Sequence, residues 1–120
     1  MSFMNRLANS SNPFQGKTKK VLCVCSAGLL RSPTTAVVLS QEPYNFNTRA
    51  AGLSDEYALI PVDDVLLEWA EEVIVMESWM AHELEDFPGT LICLDIPDKY
   101  SRMDPTLQQL ILSSYNAIQK

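Results

Sequence analysis

The stretch Val21-Leu22-Cys23-Val24-Cys25-Ser26-Ala27-Gly28-Leu29-Leu30-Arg31-Ser32-Pro33-Thr34 decides the fold. Its first five residues are apolar or cysteine without polar alternation, which predicts a strand covered on both faces, as in parallel sheets. Ser32 and Pro33 then predict a helix start, because serine can cap free N–H groups and proline fits the first helical turn. A strand, a short loop and a helix N-terminus together form an anion site.

A cysteine and an arginine surround this predicted anion site. A helix N-terminus, a ring of backbone amides and a nearby guanidinium all favour the thiolate, which is the nucleophilic form of cysteine. Arg31 can bind two phosphate oxygens with its planar fork, and Ser32 can donate a hydrogen bond to the sulfur. The spacing Cys25-x5-Arg31-Ser32 therefore predicts phosphoryl transfer through cysteine.

These residues resemble the phosphate-binding loop of the low-molecular-weight protein tyrosine phosphatases, most closely of their short bacterial members. The resemblance covers most of the chain from about Lys19 onward, and it implies the strand order 2-1-3-4 for the sheet. It rests on Val21 to Thr34, Ala51-Gly52-Leu53, Val73-Ile74-Val75-Met76 and Leu94-Asp95-Ile96-Pro97-Asp98-Lys99-Tyr100.

The resemblance implies a role for each residue at a matching position. Cys25 would be the nucleophile, Arg31 the phosphate ligand and Asp98 the general acid of a reaction through phosphocysteine. For Tyr100 two interpretations stay open, a wall of the substrate cleft or an exposed loop tyrosine. The predicted substrate-binding residues are Ser26, Ala27, Gly28, Leu29, Leu30, Ser32 and Tyr100.

A second aspartate competes with Asp98 for the role of general acid. Asp104 precedes Pro105, and this pair could also match the family's acid loop. The same pair could instead begin the last helix, with Asp104 as the N-cap and Pro105 at the first position. Asp95 is expected to end a strand or to brace the loop.

The chain departs from the family pattern at three loop positions. Gly28 stands where the family often has an asparagine that holds the loop, and Leu30 where many members have a second cysteine. Lys99 replaces the proline that follows the acid. We expect these changes to affect loop rigidity and protection against oxidation more than the reaction itself.

The rest of the chain predicts alternating strands and helices. The pattern β-α-β-α-β-α-β-α predicts a three-layer α/β fold, with a four-stranded parallel sheet and helices on both faces. Pro61 is expected to begin the second helix, with Asp63 and Asp64 in its first turn. After the first strand, the predicted elements are a helix over 32–41, a strand over 46–51, a helix over 61–70, a strand over 72–76, a helix from 77 or 78 to about 86, a strand over 90–94 and a helix over 105–118.

Several chemically notable residues are expected to be structural. Trp69 falls on the apolar face of its helix and is assigned to the core, Arg49 to the surface beside an edge strand, and His82 to the surface of a helix. Cys23 and Cys93 lie inside apolar strands and are expected to be small core residues. No cluster of His, Cys and Asp has the spacing of metal ligands, so we expect a reaction without a metal or other cofactor.

The composition indicates one domain. The chain has 120 residues, of which 47% are apolar, enough for a hydrophobic core. We expect residues 1–18 to form an N-terminal arm, either flexible or packed, and residues 19–120 to form a single phosphatase-like domain. The net charge of −6 argues against a nucleic-acid partner, because phosphate backbones select for clustered Lys and Arg.

The cysteine content and the hydropathy indicate the compartment. Three cysteines in no paired framework predict a reducing, cytoplasmic setting. No apolar run approaches the ~18 residues that span a membrane, and the N-terminus lacks a signal-peptide core. We therefore expect no membrane partner.

The predicted function is a cysteine-dependent phosphatase that hydrolyses phosphate monoesters, with phosphotyrosine as the favoured substrate. Its partner would be a phosphorylated protein or a small phosphate ester, and phosphate-like oxyanions would bind the same loop. Three alternatives stay open. They are a phosphocarrier like the cellobiose-type IIB domains, whose loop also reads Cys-Ser-Ala-Gly, a thiol-dependent arsenate reductase, and a non-catalytic phosphate-binding module.

Overall fold

A computed structural model gives the architecture of the chain. It describes residues 19–25, 31–41, 44–53, 61–97, 99–101 and 103–119, with the backbone alone at Arg31, Ser32 and Gln119. The predicted arm, residues 1–18, lies outside the described residues. Along the described chain strands and helices alternate: β1 (Lys20–Cys25), α1 (Arg31–Leu39), β2 (Asn47–Gly52), α2 (Asp64–Trp69), β3 (Glu72–Val75), α3 (Ser78–Glu83), β4 (Thr90–Cys93) and α4 (Pro105–Gln119).

The four strands form one parallel sheet in the order β2-β1-β3-β4. This confirms both the parallel sheet predicted from the sequence and the strand order implied by the resemblance. β1 is an inner strand, and β2 and β4 are the edge strands. Because all strands run in one direction, their carboxyl ends lie along one edge of the sheet. These ends are Cys25, Gly52, Val75 and Cys93.

The hydrophobic core lies on both faces of the sheet. The residues from Val21 to Val24 are fully buried, and β3 is buried along its whole length. α1 packs on β1 and β2, and α4 packs on α1. The right-handed rule for parallel crossovers places α2 and α3 on the opposite face. In the described parts of the chain, no helix is long and apolar enough to cross a bilayer.

The start of α2 corrects the prediction that Pro61 begins this helix. The first helical residue is Asp64, and Asp63 is the N-cap, whose Oδ1 accepts a hydrogen bond from the Leu66 N–H at 3.0 Å. Pro61 instead forms an isolated bridge with the end of β2. A carboxylate satisfies a free N–H of the first turn, which a proline side chain cannot do. The cap therefore decides where the helix starts.

Two other helix ends differ from the prediction. α1 begins at Arg31, so Ser32 is not the N-cap that the sequence predicted. Pro33 is tolerated at the third position because the first N–H groups of a helix have no intrahelical acceptor. α3 ends at Glu83 instead of about residue 86, because the bonds that follow join residues three apart, from the Glu85 N–H to the His82 carbonyl and from the Phe87 N–H to the Leu84 carbonyl.

A buried carboxylate stands at the amino-terminal edge of the sheet. Glu72, the first residue of β3, is 2% exposed. The Tyr115 hydroxyl on α4 donates to its Oε2 at 2.8 Å, and Lys19 Nζ lies 3.1 Å from its Oε1. A buried charge is tolerated when it is paired and hydrogen-bonded. The two contacts join the start of β3 to α4 and to the residue that precedes β1.

Aromatic rings pack around Tyr115, which donates to this carboxylate. Tyr44, Phe46 and Tyr115 pack with ring centroids 4.9 to 5.8 Å apart, and Lys19 Nζ lies 5.0 Å from the Phe46 centroid. Burial, together with the hydrogen bond to Glu72, raises the pKa of Tyr115 above its usual value. The neutral phenol therefore stabilises the fold below about pH 10, and this contribution is lost at higher pH because the unfolded tyrosine ionises first.

The substitution Tyr115→Phe is expected to lower the free energy of unfolding by about 1–3 kcal/mol, because Glu72 loses a buried donor. Urea unfolding at pH 7 measures this loss. The difference between the two proteins should shrink above about pH 10, where the native tyrosine loses its advantage.

Tyr44→Phe is the matched control for this experiment. The Tyr44 hydroxyl donates to Asn116 Oδ1, a contact exposed to solvent, so its removal should cost clearly less than the removal of the Tyr115 hydroxyl. A Tyr115→Phe protein as stable as the native chain would contradict the assigned role of the Glu72 contact.

Candidate active site

Cys25 ends the inner strand β1 at the carboxyl edge of the sheet. It pairs with Gly52 of β2, and its carbonyl accepts a hydrogen bond from the Leu53 N–H at 3.0 Å. The residue is 3% exposed. The predicted nucleophile is therefore held by sheet pairing at the edge where ligands bind in parallel α/β proteins.

The amino end of α1 lies at the same edge as Cys25. The helix begins at Arg31 and returns along the sheet, where Thr48 Oγ1 on β2 donates to the Ala36 carbonyl at 2.8 Å. Other predicted site residues cannot be placed in this way. Ser26, Ala27, Gly28, Leu29, Leu30 and Asp98 lie outside the described residues, and for Arg31 and Ser32 only the backbone is described.

The segment that follows β4 stays attached to the end of β3. The Leu94 N–H donates to the Val75 carbonyl and the Ile96 N–H to the Met76 carbonyl, both at 2.9 Å. Leu94 and Ile96 are buried, whereas Asp95 between them is exposed and has a φ of 58°. Aspartate adopts this left-handed conformation more readily than most residues. Asp95 therefore bends the chain between two buried anchors, in line with the predicted role of bracing the loop.

Thr34 fixes the other end of the same segment. This residue of the first turn of α1 is fully buried, and its Oγ1 accepts a hydrogen bond from the Met103 N–H at 2.9 Å. Met103 has a φ of 62°, and its carbonyl accepts a hydrogen bond from Gln108 Nε2 at 2.8 Å. A side chain of α1 thus holds the turn that precedes α4.

Residues 97–102, which we call the crossing segment, therefore connect two fixed points. One is Ile96, bonded beside the end of β3, and the other is Met103, bonded to the first turn of α1. β3 is a sheet neighbour of β1, and α1 packs on β1. Both fixed points thus flank the strand that ends at Cys25. Asp98 belongs to the crossing segment by its position in the chain.

Tyr100 is the predicted substrate-binding residue of the crossing segment that the structure describes. It is half-buried and packs against the core, and Lys99 Nζ lies 5.5 Å from its ring centroid. Tyr100 is therefore not a fully exposed loop side chain. Its contact with substrate stays a prediction.

Asp104 caps the last helix. Its Oδ1 accepts a hydrogen bond from the Thr106 N–H at 2.8 Å, and its carbonyl accepts one from the Gln108 N–H at 3.0 Å. Pro105 is the first helical residue. Of the two interpretations that the sequence left open for Asp104, the structure displays the N-cap.

The two cysteines outside the predicted loop differ in exposure. Cys23 is fully buried in β1, as predicted, and burial raises the pKa of its thiol. Cys93 is half-buried instead of lying in the core, because β4 is an edge strand, and burial raises the pKa of this thiol too. A raised pKa keeps a thiol protonated and weakly nucleophilic. None of the three cysteines forms a disulfide.

Arg49, Trp69 and His82 occupy structural positions. Arg49 lies on the edge strand β2, as predicted, but it is half-buried instead of on the surface, and its Cζ is 4.9 Å from the Trp69 ring centroid. Trp69 is half-buried, so it covers the core instead of lying within it. The His82 side chain is 82% exposed, beside Glu85, which confirms its surface position. Among the residues that the structure describes, no group of three or more His, Cys, Asp or Glu could hold a metal ion.

The chain is similar to several solved structures. Wzb from Vibrio vulnificus, in complex with benzylphosphonate, has a TM-score of 0.66 and 20% identity, over 85% of this chain and 97% of its own. The tyrosine phosphatase Wzb from Escherichia coli K30, in complex with phosphate, has a TM-score of 0.63 and 17% identity, over 85% and 96%. The YwlE arginine phosphatase from Geobacillus stearothermophilus has a TM-score of 0.63 and 20% identity, over 85% and 94%.

The chain has the low-molecular-weight tyrosine phosphatase fold. This confirms the fold that the resemblance implied. No protein-family model matches the chain, and no curated protein matches it significantly. In this phosphatase fold, Cys25 and the amino end of α1 occupy the same edge of the sheet.

Sequence reasoning missed the link between Thr34 and Met103. A buried threonine hydroxyl nearly always has a hydrogen-bond partner, but the partner here is 69 residues away in the chain. The sequence offers no local pattern that pairs the two. Thr34 is therefore a positioning residue that only the tertiary structure identifies.

Thr34→Val is expected to release the Met103 turn, because valine keeps the shape of threonine without an acceptor for the Met103 N–H. The free energy of unfolding should fall by about 1–3 kcal/mol. Hydrogen exchange of the Met103 amide should speed up by about tenfold or more. Thr34→Ser, which keeps the hydroxyl, should restore slow exchange. Unchanged Met103 exchange in Thr34→Val would show that this bond does not hold the turn.

Proposed function

We propose that this chain is a cysteine-dependent phosphatase that hydrolyses phosphate monoesters through a phosphocysteine intermediate. The observation that carries the proposal is the position of Cys25. This cysteine ends an inner parallel strand, at the edge where α1 begins and where the crossing segment is anchored on both sides. The likeness in fold to bacterial tyrosine and arginine phosphatases supports the same class of reaction.

The proposed binding step uses the amino end of α1. Free backbone N–H groups and the positive end of the helix dipole attract the phosphate oxygens. Arg31, at the first helical position, would add a bidentate contact to two of these oxygens. The loop from Ser26 to Leu30 would complete the ring of donors. The overall charge of −6 then matters less than these donors at contact distance.

The proposed reaction has two displacements at phosphorus. Cys25 Sγ attacks, the bond from phosphorus to the ester oxygen breaks, and the Asp98 carboxyl gives its proton to the leaving oxygen. The Asp98 carboxylate then takes a proton from water as the water oxygen attacks phosphorus. The S–P bond breaks, and inorganic phosphate and the Cys25 thiolate are released.

Asp98 is the proposed acid in preference to Asp104. The Asp104 carboxylate already accepts the Thr106 N–H at 2.8 Å as the cap of α4. Asp98 belongs to the crossing segment, whose ends are bonded on both sides of β1. A carboxyl group in that segment is suited to reach an ester oxygen held above the strand end.

The proposed substrate class is aryl phosphate, with phosphotyrosine in a protein as its main member. Tyr100 offers a half-buried ring beside which an aromatic leaving group could stack. Phosphoarginine is the second candidate, because one structure similar in fold is an arginine phosphatase. The two classes differ in the bond that breaks, P–O or P–N, so direct assays separate them.

Three rival functions make different demands on the same loop. A phosphocarrier needs no late acid and would not turn over aryl phosphates. A thiol-dependent arsenate reductase needs a relay of cysteines, but Cys23 is fully buried and Cys93 is on the far edge strand. A non-catalytic module would bind oxyanions without releasing product.

We further propose that the activity resides in one domain, residues 19–120, which acts in the cytoplasm. A catalytic thiolate must stay reduced, and the cytoplasm keeps thiols reduced. This proposal is also in line with three cysteines that form no disulfide.

The native chain is expected to hydrolyse p-nitrophenyl phosphate in the presence of EDTA and a reductant, which excludes a metal-dependent phosphatase. Cys25→Ser should lose all measurable turnover, because the alcohol is a far weaker nucleophile. Asp98→Asn should lower kcat by about tenfold to a hundredfold, because the leaving oxygen is no longer protonated. Release of p-nitrophenol measures each rate.

Two matched variants serve as controls. Cys93→Ser should keep the native rate, and Asp104→Asn should keep both kcat and most of the stability, since asparagine is also a good N-cap. If the native chain shows no activity between pH 5 and 8, the proposed hydrolase function is wrong. A larger kcat loss in Asp104→Asn than in Asp98→Asn would move the role of acid to Asp104.

Inorganic phosphate is expected to protect the Cys25 thiol from iodoacetate, because both anions compete for the same donors. Mass spectrometry of the alkylated peptides reports the rate at each cysteine. Protection should disappear in Arg31→Ala, while slow labelling of Cys93 stays unaffected by phosphate. Equal rates of Cys25 alkylation with and without phosphate would contradict the proposed anion site.

A further inference from the structure

A pocket of about 310 Å³ opens on the face of the sheet that carries α2 and α3. It lies between α2 and the segment that runs from the end of α3 toward β4. Four of the lining residues are apolar, and we call them the floor of the pocket: Leu67, Leu84, Phe87 and Pro88. The volume is at the lower end of the range for ligand sites, and it suits one or two large side chains.

Carboxylates supply the rest of the described lining, and we call them the rim. They are Asp64, Glu68, Glu83 and Asp86, and all four are exposed. None of the described residues that line the pocket is basic. We call this feature the acid-rimmed pocket. Its field favours cations, and its floor favours apolar groups, so an occupant must combine both.

The acid-rimmed pocket is separate from the candidate active site. Phe87 and Pro88 lie just before β4, where the Thr90 N–H bonds to the Glu71 carbonyl at the amino-terminal edge of the sheet. Cys25 lies at the opposite edge, and neither Cys25 nor any other described residue of the candidate active site lines the pocket. The two features therefore share no described residue.

We propose that the acid-rimmed pocket docks a segment of a partner protein that carries a large apolar side chain flanked by lysine or arginine. The apolar side chain would cover the floor, and the flanking cations would face the carboxylates of the rim. Charge complementarity selects this occupant over a neutral or acidic segment. The proposal does not depend on phosphatase activity.

The exposure of the rim favours a protein segment over a small cation. An exposed ion pair contributes little by itself, ~0–1 kcal/mol. A small cation would therefore bind weakly to carboxylates that remain in water. A protein segment adds burial of the four apolar lining residues to several such ion pairs, so both parts of the pocket contribute to binding.

The test is a titration of the ¹⁵N-labelled full chain with a synthetic peptide that has one phenylalanine between two pairs of lysines. Amide shifts should concentrate at the lining residues of the acid-rimmed pocket. A peptide with alanine in place of phenylalanine, and one with glutamates in place of lysines, should each bind at least about tenfold more weakly. Raising the salt concentration should weaken binding.

Two charge reversals on neighbouring positions separate docking from general attraction. Glu83→Lys removes a carboxylate of the rim, and Glu85→Lys makes the same change in charge at an exposed residue outside the pocket, beside His82. Glu83→Lys should raise the Kd about fivefold or more, and Glu85→Lys less than about twofold.

Several outcomes would overturn the proposal. They are no shifts up to about 1 mM peptide, equal binding of the phenylalanine and alanine peptides, or equal effects of the two charge reversals. If the amide chemical shifts of the pocket residues depend on protein concentration without peptide, the occupant is a second copy of the chain. If Phe14→Ala in the full chain changes these chemical shifts, the occupant is the chain's own N-terminal segment.

Discussion

The burial of β1 on both faces is the constraint on which the rest of the structure depends. Val21 to Val24 are fully buried, so the strand needs a neighbour on each side and a covering layer on each face. β2 and β3 supply the neighbours, and α1 and α2 belong to the two layers. The strand ends at Cys25. The position of Cys25 is thus a result of the same burial that stabilises the fold.

Two buried hydrogen-bond acceptors, Glu72 and Thr34, add to the hydrophobic packing, and they lie at opposite edges of the sheet. Glu72 joins the starts of the strands to α4 through the Tyr115 hydroxyl, and it carries a charge that costs free energy to bury. Thr34 joins α1 to the Met103 turn through a neutral contact. Both contacts contribute to stability, but the second also fixes one end of the crossing segment. Loss of the Thr34 contact should therefore affect both stability and the position of that segment, whereas loss of the Glu72 contact should affect mainly stability.

The sequence predicted the fold well because its signals are local. Uniform apolar runs marked β1 and β3, and the order of elements indicated a parallel sheet. Local signals were weaker at helix ends: Pro61 suggested a start, yet the carboxylate of Asp63 set it. The position of Cys25 at the end of β1, next to the start of α1, was predictable because the strand and the helix are adjacent in the chain. The Thr34 and Glu72 contacts join residues 69 and 43 positions apart, and no local pattern carries such information.

The placement of the three cysteines determines how the protein would recover from peroxide. Cys23 and Cys25 are two residues apart on one strand, so their Cβ atoms stay well beyond the ~3.8 Å that a disulfide requires. Cys93 pairs with Val75, and Val75 pairs with Val24. Cys93 therefore lies two strands away from Val24, the neighbour of Cys25, at about 9.5 Å. A sulfenic acid at Cys25 could not be resolved by an internal thiol while the sheet is intact. Its repair would depend on small thiols of the surroundings, and without them oxidation would proceed to irreversible acids.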